Sequence, residues 1–444
     1  MIINERVSSD SMKKILIVGT VPYNPFYTSR AFETYFYNWD KNKLAQVFSN
    51  KVPPLPGFYR TLYQITDEQI LRRLVSKKNE TGIMYSENSL TGISSENNSK
   101  KNRLAQIIFR YLYKIGKNKN SLTYLLRKII WNKKYWNTNK FNNWLDEFNP
   151  DVVFLSFSDD FFIPEIALFI AKKYSIPIIS SIGDDYYFNY KFSLSPLYHL
   201  YKKNYRKLIR EVFIHKGSAI YIGDKIRHKY NLEFNLNGKT VLLSSTIKPR
   251  DFKPINTVKP IISYFGNIRL GRNESLIDIA LALKKINESY VINVYSSEEN
   301  KKYLKEMKRI DNIKYHGAIP YNEVQEKTIQ SDLLLIVEGF KKKDIEVTRY
   351  SLSTKVADSI SSGSNVFAYG SIECGAIEYA KSIECITTVT EPNKLEESLR
   401  NLINKQEVQY ELYLRSREIV KIKHDIQMNS MIFSNVVEYV TKGD

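Results

Sequence analysis

IISYFGNIRLGRNESLIDIALALKKIN, from Ile261 to Asn287, carries the architecture in miniature. It opens with a short apolar run, of the length of a buried strand. Gly266 follows, then Arg269 and Arg272 in a short loop. From Ser275 the apolar positions recur every three or four residues, the spacing of a helix with one buried face. Strand, glycine-rich loop and helix make half of a βαβ unit.

The same alternation extends in both directions. Downstream lie YVINVYSS (Tyr290 to Ser297), IKYHGAI (Ile313 to Ile319), DLLLIVEG (Asp332 to Gly339) and NVFAYGS (Asn365 to Ser371). Upstream lie KILIVGT (Lys14 to Thr20), LAQVFS (Leu44 to Ser49), VVFLSF (Val152 to Phe157), IPIISSIG (Ile176 to Gly183), SAIYIGD (Ser218 to Asp224) and TVLLSST (Thr240 to Thr246). The two sets are divided by IKPRDFKPINTVKP, Ile247 to Pro260. Alternating strands and helices imply parallel sheets with crossover helices. Two sets with a linker imply two Rossmann-like α/β domains facing a central cleft, expected at 13–250 and 258–425. Residues 426–444 read as a C-terminal helix returning to the first domain, within a longer helical stretch from Glu411 to Val440. Ser76 to Lys100 is polar and rich in Ser, Asn and Glu, and reads as a mobile loop.

Composition narrows the class. A chain of 444 residues with 43% hydrophobic content suits two cores. Two cysteines, Cys374 and Cys385, exclude a disulfide framework and suit a reducing cytosol. No apolar run reaches the length of a membrane span, and MIINERVSSDSMKK has no signal-peptide core. The expected setting is cytoplasmic, with room for peripheral contact with a membrane. The net charge of +19 calls for an anionic partner. Residues 100–140 hold twelve Lys or Arg and no Asp or Glu, interleaved with Tyr, Trp and Phe. That mixture fits either an amphipathic surface on anionic lipid or a solvated basic helix face.

In open α/β sheets ligands bind beyond the carboxyl ends of the strands. YFGNIRLGRN (Tyr264 to Asn273) stands at such an end. Gly266 lets backbone approach a ligand, Arg269 and Arg272 can neutralise phosphates, and the next helix adds N–H donors. In STKVADSISSGSNVFAYGS (Ser353 to Ser371), Lys355 and Asp358 lie three apart, on one helix face. Lysine suits a diphosphate, and a carboxylate suits the two hydroxyls of a ribose; a surface ion pair is the plainer alternative. In the first set, VGTVPYNPFYTSRAF (Val18 to Phe32) offers Gly19, Thr20 and Arg30 toward an acceptor. SFSDDFFIPE (Ser156 to Glu165) places Asp159 and Asp160 where a helix N-cap is expected. SSIGDDYYFNY (Ser180 to Tyr190) places Asp184 and Asp185 at a strand end, as base or sugar-hydroxyl ligand. The five His residues show no metal-ligand spacing, and the paired Asp residues leave a two-Asp metal site possible.

Together, YFGNIRLGRN, KYHGAIPYNEV (Lys314 to Val324), SDLLLIVEG (Ser331 to Gly339) and DSISSGSNVFAYGS (Asp358 to Ser371) resemble the donor domain of glycosyltransferase family 4 and its GT-B relatives, of the capsule and exopolysaccharide type. The resemblance covers residues 261–390, and the first 245 only in outline. It implies a nucleotide-sugar donor as substrate, with UDP favoured, no cofactor, and a glycan or polyprenyl-diphosphate-linked acceptor. The donor-side set it implies is Gly266, Asn267, Arg269, Arg272, Ser296, Gly317, Thr354, Lys355 and Asp358, with Asp358 in place of the ribose-binding Glu. Asp184, Asp185 and Glu338 are the catalytic candidates. The family's first Glu, separated from the ribose ligand by seven residues, is absent: Tyr350 stands there. Glu338 and Glu346 have that spacing but sit in a loop ahead of the helix, and are read as coincidental. If the chain follows the family, transfer retains the anomeric configuration without a required metal. Other readings are a nucleotide-sugar epimerase or phosphorylase, a nucleic-acid-binding protein, for which no motif is visible, and a non-catalytic GT-B partner subunit.

Overall fold

The computed structural model describes residues 12–24, 31–75, 79–86, 120–190 and 193–442. Arg30, residues 100–119 of the basic stretch and most of 76–100 lie outside these.

The described residues form two sheets. The first contains β1 (Ile15–Val18), β2 (Leu44–Phe48), β3 (Thr61–Gln64), β4 (Ile83–Ser86), β5 (Val152–Ser156), β6 (Ile178–Ile182), β7 (Gly217–Tyr221) and β8 (Lys239–Thr240), in the order β4-β3-β2-β1-β5-β6-β7-β8. The second contains β9 (Ile262–Phe265), β10 (Ile292–Tyr295), β11 (Ile313–Gly317), β12 (Leu333–Val337), β13 (Asn365–Tyr369) and β14 (Thr387–Val389), in the order β11-β10-β9-β12-β13-β14. All pairings are parallel except β3 with β4. Chain order reverses between β1 and β5, and between β9 and β12. These reversals open the crevices where ligands settle in such folds.

The central strands are fully buried, as LLLIV in β12 and ILIV in β1 predict. Each sheet has apolar clusters on both faces, and no cluster joins the two sheets.

Three expectations need correction. TVLLSST is not a strand beyond Thr240. The N–H groups of Leu242 and Ser244 instead go to side chains, Asn429 Oδ1 and Thr34 Oγ1, which removes any need for a ladder. Part of the polar loop is ordered, because Ile83–Ser86 closes the sheet edge against β3. The helix read through Glu411–Val440 is two helices, Gln406–Lys423 and Ile426–Thr441. The second is capped by Asp425, whose carboxylate accepts from Met428 N. It lies on the first sheet, with the Phe433 ring 5.2–5.8 Å from those of Tyr35, Phe36, Trp39 and Phe154.

No helix among the described residues is long and apolar enough to cross a membrane.

Candidate functional site

Gly266 ends β9 at φ +130°, a conformation only glycine adopts without strain. Its N–H bonds to Tyr295 O at 2.8 Å. A Cβ there would stand 2.2 Å from both Cε and Nζ of Lys355. Lys355 comes from the first turn of helix Thr354–Ser361, from the other side of the crevice. Its amine bonds Tyr264 Oη at 3.3 Å and lies 4.7 Å above the Tyr264 ring. Burial, and then the Arg272 guanidinium, pull the Lys355 ammonium down to about 7, with Glu338 opposing.

Arg272 opens helix Arg272–Ile286 directly after Gly271, which takes the left-handed conformation. Its guanidinium grips Glu338, just past the end of β12, by two bonds of 3.0 and 2.9 Å. The Glu338 side chain is 4% exposed. Lys355, Arg272 and the N-terminus of that helix therefore converge, with one carboxylate, on the β9–β12 crevice. This arrangement favours an anion with several oxygens.

The rest of the donor-side set divides. Asn267 braces the loop: its Oδ1 accepts from Arg269 N at 2.6 Å, and its carbonyl accepts from Tyr264 Oη at 2.6 Å. The Arg269 side chain, 57% exposed, is paired with Glu298 through Nε and Nη2. Ser296 is buried and donates its N–H to Gly317 O at 2.9 Å, joining the ends of β10 and β11. Gly317 is at φ +79° and has open space where a side chain would be. Thr354 is exposed at the helix start. Asp358 accepts a 2.6 Å bond from Ser245 Oγ, on the segment that links the two domains. Glu346 lies on a short helix, Lys342–Thr348, and not in a loop.

On the facing domain, Gly19 follows β1, and the carbonyl of Thr20 accepts from Ser49 and Asn50 N–H. The paired Asp residues have unequal tasks. Asp185 is buried and accepts from the N–H groups of Tyr187 and Phe188 and from Tyr230 Oη, all within 3.1 Å. Burial raises its pKa against these bonds. It shapes the loop, with all three bonds on Oδ1. Asp184 is exposed and takes a 2.5 Å bond from Ser351 Oγ of the second domain, which closes the cleft at this point. Asp159 and Asp160 are not the N-cap; Phe161 holds that position without a side-chain bond. Asp160 instead pairs with Arg127, which also binds Asp67, and Asp159 accepts from Tyr124 Oη.

Sequence reasoning missed Tyr264, Ser245 and Ser351. Tyr264 is two residues before Gly266 and could have been suspected there. The two serines carry no local signal, because their partners are more than 100 residues away. His424 is buried between Leu243 O and Tyr379 Oη, both at 2.7 Å, a structural role at the domain junction. Among the described residues no group of three His, Cys, Asp or Glu could hold a metal.

Two Rossmann-like domains with parallel sheets, a cleft between them and a last helix returning to the first define the GT-B fold. Solved structures share it. HepE from Anabaena, crystallised with UDP-glucose, aligns with a TM-score of 0.57 at 11% identity, over 96% of this chain and 100% of that one. TarM, a S. aureus protein, gives 0.57 at 11% identity, over 97% and 100%. A glycosyltransferase from Rickettsia africae gives 0.54 at 11% identity, over 98% and 100%. At such identities the likeness establishes the fold alone. No family model and no curated protein sequence matches the chain.

Proposed function

We propose that the protein is a glycosyltransferase that moves a sugar from a nucleotide-diphosphate sugar, UDP favoured, to a glycan or lipid-linked acceptor in bacterial surface polysaccharide synthesis. The observation that carries this reading is the Gly266–Lys355–Arg272 cradle at the β9–β12 crevice. Lys355 and the helix N-terminus would neutralise the diphosphate as it leaves, by charges already in place. Glu338 would position Arg272 and not act as a base, since both its oxygens are engaged. Asp358 would receive the ribose in exchange for Ser245. Asp184 is the acceptor-side group that remains exposed at the cleft. The reading includes the retaining outcome, no required metal, a cytoplasmic setting and peripheral contact with an anionic membrane through residues 100–140. HepE, whose crystal structure holds UDP-glucose, lends support for the donor class.

The test is calorimetric titration of UDP, GDP, CMP and ADP into the wild type and Lys355→Ala. Binding of one nucleotide, lost in the variant, supports the reading. No binding at millimolar concentration sinks it. A second reading, a non-catalytic GT-B subunit, is favoured by the neutralised Glu338. It predicts nucleotide binding without turnover of any UDP-sugar.

A further inference from the structure

Tyr264 stands on β9 two residues before Gly266, on the same sheet face as Ile262. It is 1% exposed. A leucine would fill such a place with apolar volume alone, and a buried hydroxyl is costly unless it is bonded. This hydroxyl is bonded twice. It donates to Asn267 O at 2.6 Å and accepts from Lys355 Nζ at 3.3 Å. Its single proton is spent on the carbonyl, so toward Lys355 it can only accept. Burial pushes the phenol up, so it stays neutral while the amine titrates. The ring adds a second hold, with Nζ 4.7 Å from its centroid.

An ammonium has three N–H donors. Among the described residues Tyr264 is the one hydrogen-bond partner of Lys355 Nζ, which leaves two donors for an anion. Other groups act on the amine from a distance. Arg272, at the start of its helix, repels the ammonium, and Glu338, just past β12, opposes that. Asp358 lies one turn on along the amine's own helix. We infer that Tyr264 is a positioning residue of the anion cradle: it holds one N–H of Lys355 against the strand end and leaves the other two for the diphosphate. Through Asn267 O the same hydroxyl ties the amine to the Gly266 turn, so lysine and turn move as one unit. The inference rests on the reading of this crevice as a diphosphate site. A plainer role for the hydroxyl is to fasten the turn through Asn267 alone. The two roles differ in one consequence. Loss of the hydroxyl takes an acceptor from the charged form of Lys355, so the amine gives up its proton at lower pH. Anion affinity then begins to fall at lower pH too. A turn fastener would lower stability and leave that profile in place.

The experiment compares wild type with Tyr264→Phe, which keeps the ring. Calorimetry with UDP and with inorganic pyrophosphate runs from about pH 6 to 9. The Lys355 amine is titrated without ligand, by NMR of protein carrying carbon-labelled lysine. Tyr264→Phe should bind both ligands about tenfold more weakly at neutral pH. Its amine should titrate about half a unit or more below that of wild type. In Lys355→Arg, always charged, adding Tyr264→Phe should leave the pH profile flat. A second measurement needs no change at Tyr264. In protein carrying labelled tyrosine, one ring-carbon signal should follow the Lys355 titration and lose that dependence in Lys355→Met. An unshifted amine in Tyr264→Phe would overturn the inference, whatever happens to stability. So would a tyrosine spectrum blind to Lys355→Met, or a loss of UDP affinity with pyrophosphate affinity intact. If wild type binds neither nucleotide nor pyrophosphate, the transferase reading falls, and the ligand-free titration still decides the part played by Tyr264.

Discussion

The α-carbon of Gly266 and the amine of Lys355 leave no room between them for a methyl group, which would stand 2.2 Å from Nζ. Gly266→Ala must both strain the backbone and push the amine away from the crevice. The strain should cost about 1–3 kcal/mol of stability. Nucleoside diphosphate affinity should fall at least about tenfold, or roughly 1.4 kcal/mol. Urea unfolding and calorimetry read the two effects separately. An unchanged affinity would remove Gly266 from the site.

Lys355 sits near neutrality, which gives binding a pH signature. An anion needs the ammonium form, so affinity should decline as pH rises from 7 to 9, by up to about tenfold per unit. Binding at pH 8 should take up a proton, detectable by calorimetry in buffers of different ionisation enthalpy. Lys355→Arg, always charged, should flatten the profile. The same depression acts on folding. Between pH 7 and the ordinary value of 10.5 the unfolded chain holds more protons at this position. This group's contribution to stability therefore rises with pH across that window. Thermal melts of wild type against Lys355→Met would show the difference.

The Arg272–Glu338 pair should be costly to break on one side only. Glu338→Gln leaves a guanidinium 15% exposed without its partner, and about 3–5 kcal/mol of stability should be lost. Replacing both, as Arg272→Met/Glu338→Leu, should recover most of that stability while nucleotide binding stays weak. Recovery of both by the double variant would make the pair purely structural.

Asp358 and Ser245 offer a way to separate nucleoside from phosphate recognition. Asp358→Ala should weaken a nucleoside diphosphate about tenfold or more and leave inorganic pyrophosphate unaffected. Ser245→Ala should tighten the nucleotide slightly, because the carboxylate no longer has to give up a bond. Equal losses for both ligands would place Asp358 outside the ribose subsite.

The sequence carried the central strands because burial on both faces writes itself as continuous apolar runs, LLLIV in β12 being the plainest. Edge strands are half exposed and write little: IMYS in β4 alternates intermediate and exposed residues and passed for loop. The crevice was legible where its chemistry is local, as in the glycine and arginines of 264–273 and the Lys355–Asp358 spacing. What escaped was pairing at a distance. Arg269 and Arg272 look alike in the chain, yet one is taken by Glu298, 29 residues on, and the other by Glu338, 66 residues on. Likewise Asp184 and Asp185 are neighbours, and only packing against Tyr230 tells them apart.

Helix Ile426–Thr441, seated on the first sheet, makes the second domain a guest inserted within its host. The chain leaves the host after β8 and re-enters it at Asp425, so two strands of backbone span the junction. A single proteolytic nick in either one would leave the two halves tethered. The guest can be lifted out as a cassette only by cutting twice. Any chimera with another GT-B protein must therefore keep Phe433 and its neighbours with the host, or the host loses an aromatic plug from its own core.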